Sequence, residues 1–294
     1  MSIYDLSYSS SRGRLVDPIL RSTHPTPSHL YSFFQSSRKL HQLATTALYD
    51  MNRLRLDPES CHVYFLAGYC DITERLVEPY HIINESSGVV TYGHKEEVVF
   101  REDTDKCTAR MCKTIKGVSD RITVTGAKPC FSTIPPASVK DWNRARLKQK
   151  KTVALSYDHL YDTMNVGIKR VLQKVNSYIV TLNAENNMTT PYVASKVMVN
   201  QPGKDRNGER KLPRVHYNMF SDGVHPSEEL ALDWGEKLIK SMKSNREPPT
   251  APMSMATEQE SDPELDTSGE DYIGEAVAEL QEELQRKIRE MKRF

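Results

Sequence analysis

A short apolar run in the first quarter of the chain constrains the fold more than any other feature of the sequence. Residues 62–67, His-Val-Tyr-Phe-Leu-Ala, are rich in β-formers and end at Gly68. An apolar strand without polar alternation is typical of a parallel sheet that helices cover on both faces. The run therefore predicts an α/β fold in which a site loop follows this strand.

A second segment, late in the chain, carries residues with acid–base chemistry. It is Ser-Asp-Gly-Val-His-Pro-Ser over residues 221–227, and it precedes an amphipathic helix that contains Leu230 and Trp234. Asp222 and His225 stand three residues apart on a turn, a spacing at which a carboxylate can orient an imidazole that acts as a general base. The alternatives are an Asx turn with an exposed histidine, or a structural role in which Asp222 caps the following helix.

In this order, the two segments resemble the layout of the SGNH (GDSL-like) hydrolases. Residues 62–73 are similar to the family's strand with a Gly-x-Asn-Asp block, and residues 222–226 match its Asp-x-x-His-Pro block. The segments between them follow the family's order of elements, with a predicted strand at Ile122–Thr125, then Ile134-Pro135-Pro136 and Trp142-Asn143.

The resemblance covers about residues 1 to 243. It implies a flavodoxin-like three-layer fold with a parallel sheet, and a serine nucleophile assisted by His225 and oriented by Asp222. It also implies a small acyl ester as ligand and no cofactor.

The sequence departs from the family at two of its blocks. The family supplies an oxyanion-hole Asn where this chain has Cys70, and a thiol is a weak hydrogen-bond donor. The Gly-Asp-Ser block that carries the nucleophile is not present as such. The oxyanion donors that remain are the backbone N–H groups of Gly13 and Gly68.

Two placements of the N-terminus follow. In the first, residues 3–7 are a degenerate first strand, and Ser7 or one of residues 9–11 is the nucleophile. In the second, residues 3–6 are the family's second strand, Gly13 is its oxyanion glycine, and the nucleophile strand is absent. We favour the second, because no other strand-like segment lies between Gly13 and a helix predicted from about Leu30 to Leu54.

The middle of the chain contains a predicted insertion over residues 76–118. Within it, residues 88–95 and 97–100 have the pattern of a β-hairpin next to the site, which is either a lid or specificity element or a solvated insert. A sheet-covering helix is predicted at 159–182. Residues 140–151 carry six bases beside one Trp, a pattern that fits a solvated helix face or, as the alternative, contact with nucleic acid.

Composition narrows the class of protein. The 294 residues carry 40 basic and 39 acidic side chains, so no global field favours a polyanionic partner. No stretch has the pattern of a signal peptide or a membrane span, and the five cysteines are scattered without paired Cys-x-x-Cys spacing. We therefore expect an intracellular protein in a reducing compartment without a structural metal.

The C-terminal fifth differs from the rest of the chain. Residues 244–271 predict an acidic, disordered linker that begins with three prolines. Residues 272–294 place apolar side chains at spacings of four, three, four, four and three, close to a coiled-coil seam. Because a lone helix of this length is marginal in water, we expect it to pair with a copy of itself or with a partner helix, or else to dock on its own domain.

Two functions remain. In one, a domain that has lost its nucleophile and its oxyanion Asn is a noncatalytic assembly or interaction protein that multimerises through its C-terminal helix. In the other, the chain is an active serine esterase that uses Ser7, His225 and Asp222, with the backbone N–H groups of Gly13 and Gly68 holding the oxyanion.

Overall fold

The fold was obtained as a computed structural model. It describes residues 2–35, 38–83, 90–149, 152, 155–199, 201–203 and 211–247, and the structural statements below refer to these residues. The chain divides into two compact units, Met1–Ser244 and Asn245–Phe294. The second unit is described only at residues 245–247, so the predicted linker and the helix at 272–294 lie outside the described residues.

A four-stranded parallel sheet forms the centre of the first unit. Its strands are β1 (Tyr4–Ser9), β2 (Leu30–Phe34), β3 (Cys61–Leu66) and β6 (Lys128–Phe131), in the order β2-β1-β3-β6. In the register, Ser7 of β1 lies beside Ser32 of β2 and Tyr64 of β3. A first strand between the second and third is the flavodoxin-like arrangement, so the predicted fold class is confirmed.

Helices cover both faces of this sheet. The face that bears Leu6, Tyr8 and Phe65 packs against α2 (Leu40–Arg53), α4 (Thr104–Thr123) and α6 (Tyr161–Glu185). The face that bears Tyr64 and Leu66 packs against α1 (Val16–Thr23) and α7 (Glu228–Arg246). The core therefore has two parts, one on each face of the sheet, and Trp234 of α7 is fully buried in the second.

The first two strands differ from the favoured placement of the N-terminal residues. Residues 30–34 form β2, not the start of a helix, and α2 begins only at Leu40. The spacing of Phe33 and Leu40 fits helical periodicity. The sequence pattern therefore predicted a helix where the structure has the strand β2. Because β2 lies outside β1, β1 occupies the place of the first strand in a flavodoxin-like sheet, and the favoured placement of residues 3–6 as a second strand is wrong.

The region after β3 also differs from the prediction. A hairpin is present, but it consists of β4 (Glu74–Ile83) and β5 (Val90–Val99), so the two predicted strands largely coincide with β5 alone. Residues 121–125, predicted as a strand, complete and follow α4, which packs in the core rather than in an insertion. Asp103 caps α4 by accepting the N–H groups of Asp105 and Lys106, each at 3.0 Å.

The remaining elements complete the frame of the site. They are the short helix α3 (Tyr69–Ile72), α5 (Val139–Lys148), and a two-residue pair of strands, β7 (Met198–Val199) and β8 (Arg214–Val215). The predicted helix at 159–182 is α6. Within the described ranges, no helix has the length and hydropathy needed to cross a membrane.

Candidate functional site

Asp222 and His225 form the hydrogen-bonded pair that their spacing predicts. Nδ1 of His225 lies 2.7 Å from Oδ2 of Asp222, and Oδ1 of Asp222 accepts the backbone N–H groups of His225 at 2.8 Å and Val224 at 3.1 Å. Burial alone raises the pKa of Asp222, but the hydrogen bonds from His225 and Val224 outweigh it and lower that pKa. The pair fixes the imidazole and leaves Nε2 for a second group.

The turn that carries the pair is docked on the start of α5. Gly223 has a φ of +83°, and a Cβ there would lie 2.7 Å from Cβ of Asp141 and 2.9 Å from the backbone nitrogen of Trp142. The N–H of Ser138 donates to the carbonyl of Gly223 at 2.8 Å. Gly223 is therefore required both by its backbone conformation and by the close approach of α5.

Asp222 does not cap the last helix. The hydroxyl of Ser227, next to the start of α7, accepts the N–H of Leu230 at 3.3 Å, and its carbonyl accepts the N–H of Ala231. Asp222 instead holds an Asx-type turn around His225. The alternative in which the carboxylate persists as a helix cap is wrong.

A cavity of about 930 Å³ opens beside His225. Trp142 of α5 packs edge-on against the His225 ring, with the ring centroids 5.3 Å apart. The other walls come from α3 with Thr73, from the base of the β4–β5 hairpin, and from residues around the start of α4. A volume of this size accommodates a small organic ligand.

The structure does not bring Ser7 to this cavity. Ser7 is 2% exposed and lies within β1, on the sheet face that α1 and α7 cover. Ser9 ends the strand, and its hydroxyl donates to the carbonyl of Phe33 at 3.4 Å. Ser10 follows at the carboxyl edge and is 4% exposed.

The described residues that line the cavity include no serine. Among the side chains that the structure describes, the ring of His225 forms a hydrogen bond with Asp222 alone.

The three predicted oxyanion residues have different positions. The N–H of Gly13 donates to the carbonyl of Ser10 at 2.9 Å, inside the turn that follows β1. Gly68 has a φ of +123° and precedes α3, where a Cβ would lie 2.4 Å from Cδ1 of Ile134. Cys70 lines the cavity, and burial raises the pKa of its thiol, so the side chain there is neutral at pH 7.

Sequence reasoning missed Arg12, which lies buried behind the site. Its Nη1 donates to the carbonyl of Pro135 at 2.7 Å, and its guanidinium lies 4.2 Å from the ring centroid of Tyr69. Burial lowers the pKa of Arg12 to about 10, against the opposing charges of groups that include Asp222. A lone Arg after a serine run gives no signal in the sequence, because its partners come from distant segments.

The basic segment at 140–151 is largely neutralised where it is described. Lys140 pairs with Asp162 at 2.9 Å, and Arg144 pairs with Asp158 at 3.1 Å. A third base, Arg146, contacts Glu96. The pairs of Lys140 and Arg144 suit a solvated helix face, whereas Arg146 lines the cavity and shares Glu96 with Arg75.

No group of three His, Cys, Asp or Glu side chains that could hold a metal ion is present among the described residues.

Comparison with known proteins gives similarities of structure only. The sequence matches no protein-family model and no curated protein. A candidate acylhydrolase from Bacteroides fragilis has 12% identity and a TM-score of 0.48, over 83% of this chain and 88% of that one. A GDSL-like lipase from Bacteroides thetaiotaomicron has 12% identity and a TM-score of 0.45, over 82% and 86%.

A third structure is the lipase/acylhydrolase from Enterococcus faecalis. It has 14% identity and a TM-score of 0.41, over 85% of this chain and all of that chain. The assignment of the fold rests on the strand order, and that of the site on its own distances.

Proposed function

We propose that residues 1–244 form a noncatalytic, ligand-binding domain of the SGNH type, which holds a small acyl ester in the cavity beside His225. One observation carries this proposal. The Asp222–His225 pair is assembled at the cavity, yet the described lining offers no serine hydroxyl and has Cys70 in the place of the family's Asn. Without an attacking oxygen next to the base among the described side chains, which do not include that of Ser11, acyl transfer has no first step.

In such a domain, the pair serves recognition. Asp222 fixes the ring of His225, so that Nε2 meets a polar atom of the ligand in one orientation. Trp142 offers an aromatic face beside it, which suits an apolar acyl or aryl group.

A serine acyl hydrolase is the second candidate, and the position of β1 favours it. Ser9 ends β1, and Ser10 follows it at the carboxyl edge of the sheet. Active sites of parallel sheets lie at this edge. In that reaction, the serine oxygen attacks the acyl carbon, His225 takes the serine proton and passes it to the leaving alcohol, and water then releases the acid.

Labelling with a fluorophosphonate probe distinguishes the two candidates. For the noncatalytic domain, we expect the wild-type chain to be labelled no more than His225→Ala. Stoichiometric label on a residue between 9 and 11, located by mass spectrometry and lost in His225→Ala, would establish the hydrolase.

Binding is measured through Trp142, which lines the cavity. The chain has two tryptophans, and Trp234→Phe leaves Trp142 as the single reporter. We expect a neutral ester, phenyl acetate, to change the fluorescence of this variant saturably. The same titration in Trp142→Phe is the control, because Trp234 is fully buried away from the cavity and should not respond.

A further inference from the structure

The charged side chains at the cavity are unevenly paired, since Asp222 serves His225 while two arginines share one acid. Two pairs are one-to-one, since Arg101 contacts Glu74 at 2.8 Å and Arg110 contacts Glu102 at 2.6 Å. Lys39 and Asp71 add one charge of each sign, and the charge of Lys39 acts on the Asp71 carboxyl. The local charge beside the β4–β5 hairpin therefore depends on the remaining three charged residues of the lining.

Those three are Glu96 and the two arginines that share it. The carboxylate of Glu96 lies 2.6 Å from Arg75 and 2.5 Å from Arg146. One carboxylate cannot neutralise two guanidinium groups, so a positive charge is left over. Nε of Arg146 is buried and has no hydrogen-bond acceptor among the described residues, so Glu96 does not satisfy all the donors of this guanidinium.

Arg146 stands next to the catalytic-type pair. Its guanidinium carbon lies 5.7 Å from the Trp142 ring centroid. The ring centroid of His225 lies 5.3 Å from that of Trp142. The three side chains form one wall, with the excess positive charge one aromatic ring away from His225.

We propose that the cavity selects an anionic acyl ester, whose carboxylate or phosphate binds Arg146 and Arg75 while its ester group lies at His225. This proposal rests on the proposed function and adds the class of ligand. Guanidinium groups bind carboxylate and phosphate through paired hydrogen bonds. Such an anion neutralises the positive charge of the two arginines that Glu96 alone does not neutralise. Glu96 competes with the ligand for the same two arginines.

The test compares two esters that differ by one carboxylate, phenyl acetate and 4-acetoxybenzoate, in the Trp234→Phe background. We expect 4-acetoxybenzoate to bind about tenfold more tightly, the equivalent of one charge-assisted hydrogen bond. Inorganic phosphate, added as a competitor, should displace it if phosphate esters are the ligands, and acetate should displace it if carboxylates are.

Three variants assign the preference to residues. Arg146→Gln should reduce the affinity for 4-acetoxybenzoate to that for phenyl acetate. Glu96→Gln should raise it, because the competing carboxylate is gone. Arg144→Gln is the matched control on the same helix, since Arg144 is half-exposed and pairs with Asp158 outside the cavity; it should change neither affinity.

The outcomes separate this proposal from the previous one. Equal affinities for the two esters would overturn the anionic class and leave ester binding intact, whereas no response to either ester would overturn both. An equal loss in Arg144→Gln would trace the preference to general charge rather than to the cavity. Should Arg146→Gln not fold, the gain expected in Glu96→Gln still decides, and its absence would contradict the proposal.

Discussion

At the scale of single residues, His225 owes its position to two neighbours with different roles. Asp222 binds the ring and two backbone N–H groups, so it couples the side chain of His225 to the turn itself. Gly223 permits the turn to approach α5 closely enough for its carbonyl to accept the N–H of Ser138. Each role predicts a different consequence of substitution.

Asp222→Asn should make the protein less stable by an amount that depends on pH. Asn keeps an oxygen for the backbone N–H groups but loses the negative charge of the acceptor that faces Nδ1 of His225, which costs about 1 kcal/mol near neutral pH. Because the folded-state pKa of Asp222 lies below its usual value of 3.8, the contribution of the carboxylate is complete well above that pH. It is lost as the pH falls through the lowered pKa.

Urea unfolding at pH 7 and at low pH measures this dependence. The difference between wild type and Asp222→Asn should shrink at low pH. A difference that stays constant would show that the ionised carboxylate does not stabilise the fold.

Gly223→Ala should destabilise the protein by about 2 kcal/mol, through strain at positive φ together with the steric conflict with α5. Gly203→Ala is the matched control, because Gly203 has a similar φ of +87° but its nearest neighbour is Nζ of Lys211 at 4.0 Å. Denaturant midpoints of both variants separate the two causes. Equal losses would mean that the approach of α5 contributes nothing.

At the scale of elements, asparagine side chains hold the site wall together. Asn143 of α5 binds both backbone groups of Val98 in β5, at 2.8 and 2.7 Å. Asn176 of α6 does the same for Ile134, at 2.7 and 3.0 Å. Asn183 binds both backbone groups of Phe131. These bonds satisfy backbone groups of β5, of β6 and of the segment that follows β6.

Asn143→Ala should release β5 from α5 and loosen the cavity wall that contains Glu96 and Val98. The loss leaves the part-buried N–H and C=O of Val98 without this partner, which costs about 2 kcal/mol. Hydrogen exchange of the Val98 amide should become faster than in Asn176→Ala, the matched variant with the same pair of bonds elsewhere. Equal exchange at Val98 in both variants would place its protection in global stability instead.

The sequence predicted those elements whose pattern is local. The apolar run of β3, the stripe of α6 and the turn before α7 are each contained in one segment, and all three are present. Leu30–Phe34 and residues 121–125 were assigned to the wrong type of element, because helical spacing and β-branched residues occur in both. Tertiary pairing with β1 decides the first, and packing on α6 and α2 decides the second.

For the site, too, contacts between residues close in the sequence could be predicted and contacts between distant segments could not. The Asp222–His225 bond joins residues three apart, so their spacing sufficed to predict it. Arg146, Glu96 and Arg75 meet across α5 and two strands of a hairpin, and Arg12 reaches Pro135 across 123 residues. Such contacts depend on the fold, so no motif in the sequence marks them.

At the scale of the whole molecule, the chain divides where its composition changes. The first compact unit ends at Ser244, next to the predicted start of the acidic linker. In the sequence of residues 272–294, apolar side chains recur every three or four residues, with acidic and basic side chains between them. In the proposed assembly, pairing of the helix predicted at residues 272–294 would bring several cavities together and raise their joint avidity.

Deletion of residues 272–294 should lower the oligomeric state, because it removes the predicted seam while leaving the compact unit 1–244 untouched. Light scattering after gel filtration measures the mass of both chains. Leu280→Asp places a charge in the seam and should lower the mass in the same way, whereas Gln281→Asp, one residue away and off the seam, should not. If the deletion leaves the mass unchanged, association does not come from this helix, and an equal effect of the two Asp substitutions would indicate general charge repulsion rather than a packed interface.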